Sequence, residues 1–256
     1  MDLLTDLQVS LLRKFWPLDP FDDSGNEAAL LARLPSQLGS EVLQEIRGKT
    51  VIDFGCGRGL QAVELALLGA GHVIGLDIRE DELVYGRRRA LEAGVSDRCH
   101  FVTSTDQRAD IIISIDAFEH FDNPAEILRI MDSLLKPDGK VVISFGPTWY
   151  HPIGGHLFSV FPWAHLVFSE KALIAWRSTI KNDGATCFHE VAGGLNQMTI
   201  RGFENLVKES PFRFARLETV PIRRMAILHN RVTREFTTAA VRCRLVKHSP
   251  ADPRIP

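Results

Sequence analysis

Val51-Ile52-Asp53-Phe54-Gly55-Cys56-Gly57-Arg58-Gly59 is the stretch on which the fold turns. An apolar run of strand character ends in three glycines at alternate positions, and residues 59–69 continue with helical spacing. Glycine suits such a strand-to-helix turn because backbone N–H groups and the helix N-terminus can then approach a ligand that side chains would block. The next strand, Val73-Ile74-Gly75-Leu76-Asp77, closes on an acid, and a carboxylate there can accept both hydrogen bonds of a ribose diol. On glycines alone the loop is a nucleotide turn of open ligand identity. The GxGxG spacing departs from the GxGxxG of dinucleotide sites. Asp53, two residues ahead of the first glycine, would repel a pyrophosphate but suits an aminoacyl ligand carrying an ammonium group.

Outward from the loop the chain alternates. Strands are expected at 50–54, 72–77, 100–103, 110–115 and 140–145, with helices at 59–69, 80–93 and 124–136 between them. Ile111-Ile112-Ile113 and Val141-Val142-Ile143 are continuous apolar runs, the signature of strands buried on both faces. Upstream, Leu4, Leu7, Leu11, Leu12 and Phe15 form an amphipathic helix ahead of the turn-rich 17–25 stretch, and a helical segment 27–47 is expected to break at Pro35 and Gly39. Residues 146–194 interrupt the rhythm with Trp, Phe, His, Pro and Gly around one helix at 169–176. Further on, a helix at 199–210, a strand at 212–221 and a strand at 239–246 complete the pattern. The expected organisation is one domain: a helical cover (1–48), a cofactor-binding core (49–146), a lid (147–198) and a C-terminal helix with the last strands (199–256).

The glycine stretch resembles the first motif of class I S-adenosylmethionine-dependent methyltransferases of the small-molecule type. Asp77 matches their ribose-binding acid, residues 110–120 their fourth-strand motif, and Leu135-Lys136-Pro137-Asp138-Gly139-Lys140 the turn into their fifth strand. The resemblance covers about residues 50–145. It implies an α/β fold, Rossmann-like and doubly wound, with a mostly parallel seven-stranded sheet, N-terminal helices and a lid insertion. It also implies S-adenosylmethionine as cofactor and S-adenosylhomocysteine as product. The cofactor side would comprise Asp53, Gly55, Cys56, Gly57, Gly59, Asp77, Asp116 and Ala117, with Ile78 packing on the adenine. Asp106 would meet the adenine amino group, with Thr105 or Gln107 as alternatives because the chain between Val102 and Asp110 is several residues shorter than the family pattern.

Methyl transfer from a sulfonium is an in-line displacement that needs an aligned, dehydrated acceptor about 3 Å from the methyl group, and a hydroxyl acceptor also needs a base. Histidine has a suitable pKa. Of the candidates, His156 ranks first and His165 second. His120, in Phe118-Glu119-His120, reads first as shaping the cofactor pocket and then as a base or a helix-start residue. The lid's aromatics suit a small, partly apolar acceptor, although Phe158, Phe161, Trp163 and Phe168 read equally as the insertion's own core. His151, His156 and His165 lack compact metal spacing, so no metal site is expected.

The chain has 256 residues, 45% hydrophobic, and a formal net charge of -2, values that give no field to draw it to nucleic acid. The Asn/Asp-Pro-Pro-Tyr/Phe tetrapeptide that resembles base and glutamine N-methyltransferases is missing; Asp116-Ala117-Phe118-Glu119 stands in its place. Eight late arginines (213, 216, 223, 224, 231, 234, 242 and 244) read first as solvated surface and second as a handle for an anionic acceptor. The four separated cysteines and the lack of a spanning apolar run point to a cytoplasmic protein with no membrane span. O-methylation leads, followed by C- or N-methylation, then an NAD(P)-dependent oxidoreductase, then a silent methyltransferase-like binding protein.

Overall fold

The computed structural model describes residues 3–16, 27–181, 183–191 and 193–248; the turn-rich 17–25 stretch lies outside them. Seven strands form one sheet: β1 (Thr50–Phe54), β2 (His72–Leu76), β3 (Cys99–Val102), β4 (Ala109–Ile115), β5 (Leu135–Phe145), β6 (Phe212–Pro221) and β7 (Thr238–Lys247). Their order is β3-β2-β1-β4-β5-β7-β6. The first five run parallel, and β7 inserts antiparallel between β5 and β6. The expected doubly wound sheet is the observed one.

Helices flank the sheet on both faces and build the lid beside it: α1 (Leu3–Phe15), α2 (Glu27–Leu38), α3 (Ser40–Glu45), α4 (Leu60–Leu67), α5 (Glu80–Glu92), α6 (Pro124–Leu134), α7 (Ala164–Val167), α8 (Glu170–Arg177), α9 (Ile200–Lys208) and α10 (Arg234–Thr237). Because successive strand residues face opposite ways, Val51, Ile111 and Ile113 enter one core with Leu34, Val42, Ala62, Leu65 and Leu83. Ile52 and Ile112 enter the other with Leu128, Met131, Phe203 and Phe212. This explains the unbroken apolar runs. Each such fully buried side chain contributes roughly 1.5–3 kcal/mol relative to exposure.

Two boundaries differ from expectation. α2 runs through Pro35, and the helix breaks only at Gly39, whose φ is 85°. A proline removes one N–H, and burial of Leu34 and Leu38 against the sheet holds the turn in place. β5 begins at Leu135 rather than at 140. Pro137, Asp138 and Gly139 sit inside the strand as a bulge, since pairing with β4 jumps from Ala109↔Leu135 to Ile111↔Lys140.

The lid and α1 share a third core. Leu12 packs with Phe158, Leu173, Ile174, Trp176 and Phe188, the Trp176 Nε1–H donates to Trp16 O (2.9 Å), and Gln8 Oε1 accepts from Ser169 N (3.0 Å). The N-terminal helices therefore divide, α1 covering the lid while α2 and α3 cover the sheet. Among the described residues no helix is long and apolar enough to cross a membrane.

Candidate active site

In an open parallel sheet ligands sit beyond the carboxyl ends of the strands where the strand order reverses, here between β1 and β4. The glycine loop occupies that place. Gly55, Gly57 and Gly59 have φ of 78°, 49° and 74°, and Gly59 is the N-cap of α4. A Cβ on Gly59 would lie 2.3 Å from the Phe101 ring, so no other residue fits between β3 and α5. The loop's N–H groups mostly serve the protein. Gly55 N and Cys56 N donate to Leu76 O (2.8 and 3.1 Å), and Gly57 N donates to Asp77 Oδ2 (2.9 Å). These three amides lock the loop onto the end of β2.

Asp77 Oδ1 accepts Arg79 N (3.0 Å) and the Arg79 guanidinium (3.3 Å). Its carboxylate is thus fixed at the end of β2, beside the loop. Asp53, 2% exposed, lies beneath, and its Oδ2 has no hydrogen-bond partner. Burial, reinforced by the charge of Asp77 and opposed by the Ala62 N–H, raises its pKa to about 7. Burial likewise pushes the Cys56 thiol up, so Cys56 is an inert wall. Ile78 is 90% exposed, an apolar side chain with an uncovered face at the end of β2. Asp106 is also exposed, and Thr105 Oγ1 accepts Gln107 N (3.1 Å), closing a local turn.

Across the loop, Ala117 is buried close to Gly55. Asp116 has φ 49°, donates its N–H to Ser144 O (2.8 Å) and accepts from the Gln37 side-chain amide (2.9 Å). Its carboxyl pKa is raised by desolvation, against the pull of Gln37 and Arg33. Then comes Glu119, 2% exposed: Oε1 accepts Gly146 N (3.2 Å), Oε2 has no partner, and burial raises its pKa to about 8.

The structure brings two of the three candidate histidines together and commits the third elsewhere. His120 Nδ1 bonds Gly194 O (2.8 Å), and its ring lies 5.2 Å from that of His156. His156 has φ 51°, and its buried Nε2 has no partner. Burial, with the neighbouring His120 and His165, lowers its pKa to about 4. His165 is 3% exposed and has no nitrogen to spare, as Nε2 bonds Trp149 O (2.7 Å) and Nδ1 bonds Ser159 Oγ (2.8 Å).

Sequence reasoning missed Gln37, Asn196 and Gly194. Asn196 Nδ2 donates to Phe118 O and Phe121 O (2.8 and 2.9 Å), tying the lid's end to the turn that carries Glu119 and His120. A Cβ on Gly194 would stand 2.4 Å from His120 O. No local motif marks these residues, because each meets a partner more than seventy positions away.

Residues 26–212 match the family described as methyltransferase domain. The chain belongs to it. It carries a methyltransferase domain, and its fold is that of the class I S-adenosylmethionine-dependent enzymes. The glycine cradle, the orphaned Asp53 oxygen and the acid of β2 fit that cofactor. This methyltransferase is 38% identical over 102 residues to the ribosomal protein L11 methyltransferase of Photobacterium profundum, covering 40% of the chain and 35% of that protein. It is 35% identical over 103 residues to the ubiquinone biosynthesis O-methyltransferase of Aeromonas salmonicida, covering 38% of the chain and 43% of that protein. The chain therefore spans less than half the length of these relatives. In structure it resembles magnesium protoporphyrin IX methyltransferase from Synechocystis with bound SAH (TM-score 0.56, 16% identity, 96% of each chain). It also resembles geranyl diphosphate methyltransferase in complex with SAM (TM-score 0.55, 17% identity, 90% of this chain and 93% of that one). At such identities the likeness is one of fold.

Proposed function

We propose that this methyltransferase methylates an oxygen of a small, partly apolar acceptor held between the β4 end and the lid, in the cytoplasm. The single observation that carries the reading is the unpartnered, buried Nε2 of His156 facing the Glu119–His120 turn. A buried nitrogen without a partner costs about 1–3 kcal/mol, a cost that a hydroxyl acceptor would remove. When bound, S-adenosylmethionine supplies an electrophilic methyl on a sulfonium. Asp77 and Ile78 would hold its adenosine, Asp53 would balance its ammonium, and Asp116 and Ala117 would line its methionine end. Asp106 or Thr105 would border the adenine. His156 takes the acceptor's proton directly, except where it serves as a ligand in the arrangement argued below. His120 orients the acceptor, and His165, with both nitrogens committed, positions the lid.

Two relatives favour small acceptors, since one is named for ubiquinone biosynthesis O-methylation and another for geranyl diphosphate. The relative named for ribosomal protein L11 favours the second reading, transfer to a protein amine. The four described cysteines are all free, which supports the cytoplasm. Incubation with methyl-labelled cofactor and a panel of phenols, prenylated catechols, isoprenoid alcohols and lysine-rich proteins separates the readings. An O-methyl ether is expected, with His156→Ala slowing turnover about a hundredfold at unchanged S-adenosylhomocysteine affinity. Label found only on protein amines would reject the proposal.

A further inference from the structure

We propose that Glu119, His120 and His156 together bind one divalent transition-metal cation of the zinc or cobalt class, leaving an open coordination position toward the acceptor. One ligand atom from each residue, a carboxylate oxygen and two imidazole nitrogens, lies within 4.8 Å of the other two. Ligand atoms around tetrahedral zinc stand ~3.3 Å apart, as bond lengths of about 2.0–2.1 Å require. A contraction of at most about 1.5 Å, taken up by the lid turn bearing His156, would close the set.

Four features of the cluster are those of a ligand set rather than of a packed core. Glu119 Oε2 and His156 Nε2 are both buried and both without a partner, an arrangement that a single cation satisfies at once. The Glu119 carboxylate is held by its other oxygen, which accepts Gly146 N. Because a carbonyl only accepts, the bond to Gly194 O places the proton of His120 on Nδ1 and leaves a lone pair on Nε2. Metal-bound histidines are oriented by outer hydrogen bonds of this kind. Gly194 has no room for a side chain against His120 O, so the carbonyl that orients the ring is itself fixed. Asp116, exposed and three residues before Glu119, adds a further acidic group.

Two histidines and one carboxylate with an open position are a set that takes zinc, cobalt, manganese or ferrous iron. An acceptor hydroxyl bound at the open position would lose its proton to solvent more readily, because the cation stabilises the oxyanion. The O–H bond breaks, the oxygen's electron pair attacks the methyl carbon, and the carbon–sulfur bond breaks toward sulfur. With the cation seated His156 is a ligand, and the proton leaves to water. Only this catalytic role rests on the proposed acceptor placement. The site itself does not.

Sequence spacing alone pointed away from a metal, since His151, His156 and His165 form no compact motif. The cluster instead joins a lid histidine to two residues at the end of β4. The full chain, stripped with chelator, loaded with Co2+ and desalted, tests this by metal analysis and visible spectroscopy. One retained equivalent is expected, with the d–d bands of a four- or five-coordinate nitrogen and oxygen site. Glu119→Gln and His156→Ala should each weaken Co2+ binding about tenfold or more while S-adenosylhomocysteine still binds. His120→Gln serves the same purpose should either fold poorly. A protein that binds S-adenosylhomocysteine but retains no Co2+, or variants that retain it as the parent does, would overturn the site. Such a result beside continued O-methylation would leave the proposed function standing; Co2+ retained by a protein that methylates only amines would do the reverse.

Discussion

The glycine loop and the lid are two parts of one candidate site, yet they are built on opposite principles. Around the loop, residues 53–59 and 77–79 hold one another through bonds spanning a few to about twenty positions, and glycine's φ does the shaping. Around the lid, long-range bonds recur: Gly194 O holds His120, Phe118 O accepts from Asn196 and Trp16 O accepts from Trp176, while Ser159 and Trp149 hold His165 within the lid. The cofactor side is a backbone device with a short sequence signature, whereas the acceptor side is a side-chain device assembled by tertiary packing. The first can be shared across a family while the second varies, since changing a lid contact leaves the loop's internal bonds untouched.

The sharpest way to break this contrast is Gly59→Val. The new Cβ would meet Phe101 at 2.3 Å in a backbone of φ 74° that β-branched residues avoid. A loss of several kcal/mol is expected from overpacking and strain together, with S-adenosylhomocysteine binding abolished. Calorimetric titration and thermal unfolding would measure both. A variant that binds normally would mean that the loop does not depend on glycine geometry.

Much of the fold was legible because its determinants are local. The runs at 111–113 and 141–143, the glycine spacing and the acid at 77 are readable without knowing any partner. Pro35 misled because the helix-breaking rule ignores how firmly Leu34 and Leu38 hold α2 to the sheet. The start of β5 was hidden because Pro137 and Gly139 read as a turn, and a bulge uses the same residues. At the site, His120 and His156 were named but not joined, since nothing in the spacing 120 to 156 announces rings 5.2 Å apart. His165 looked equivalent to His156 until its two hydrogen bonds distinguished them.

A second test concerns the charge beneath the loop. The Asp53 pKa is raised from 3.8 to about 7 in the folded chain, chiefly by burial. Below pH 3.8 folded and unfolded chains both hold the proton. Between 3.8 and about 7 only the folded chain does, so the stability from the protonated form is lost as pH rises through that window, by ~4 kcal/mol in all at about 1.4 kcal/mol per pKa unit. Asp53→Asn removes this dependence. Urea unfolding of both proteins across the range should show the variant gaining on the parent as pH rises, and parallel profiles would show that Asp53 is not held in its protonated form.

The smallest effects discriminate within the cofactor side itself. Asp77 is held by Gly57 N and Arg79, and loss of a charged hydrogen-bonding group costs about 1.5–3 kcal/mol, so Asp77→Ala should weaken S-adenosylhomocysteine roughly ten- to 150-fold. Asp106 has no such framework, being exposed on the connection between β3 and β4. If it meets the adenine amino group, Asp106→Ala should cost about 0.5–1.5 kcal/mol, a two- to tenfold loss. If Thr105 or Gln107 serves instead, the change should lie within the ±0.5 kcal/mol typical of surface sites. Titration of Thr105→Val, Asp106→Ala and Gln107→Ala side by side assigns the contact to whichever variant falls. Three unaffected variants would mean that the shortened β3–β4 connection leaves the adenine amino group to solvent or backbone, and that the local legibility of the cofactor side ends at the ribose.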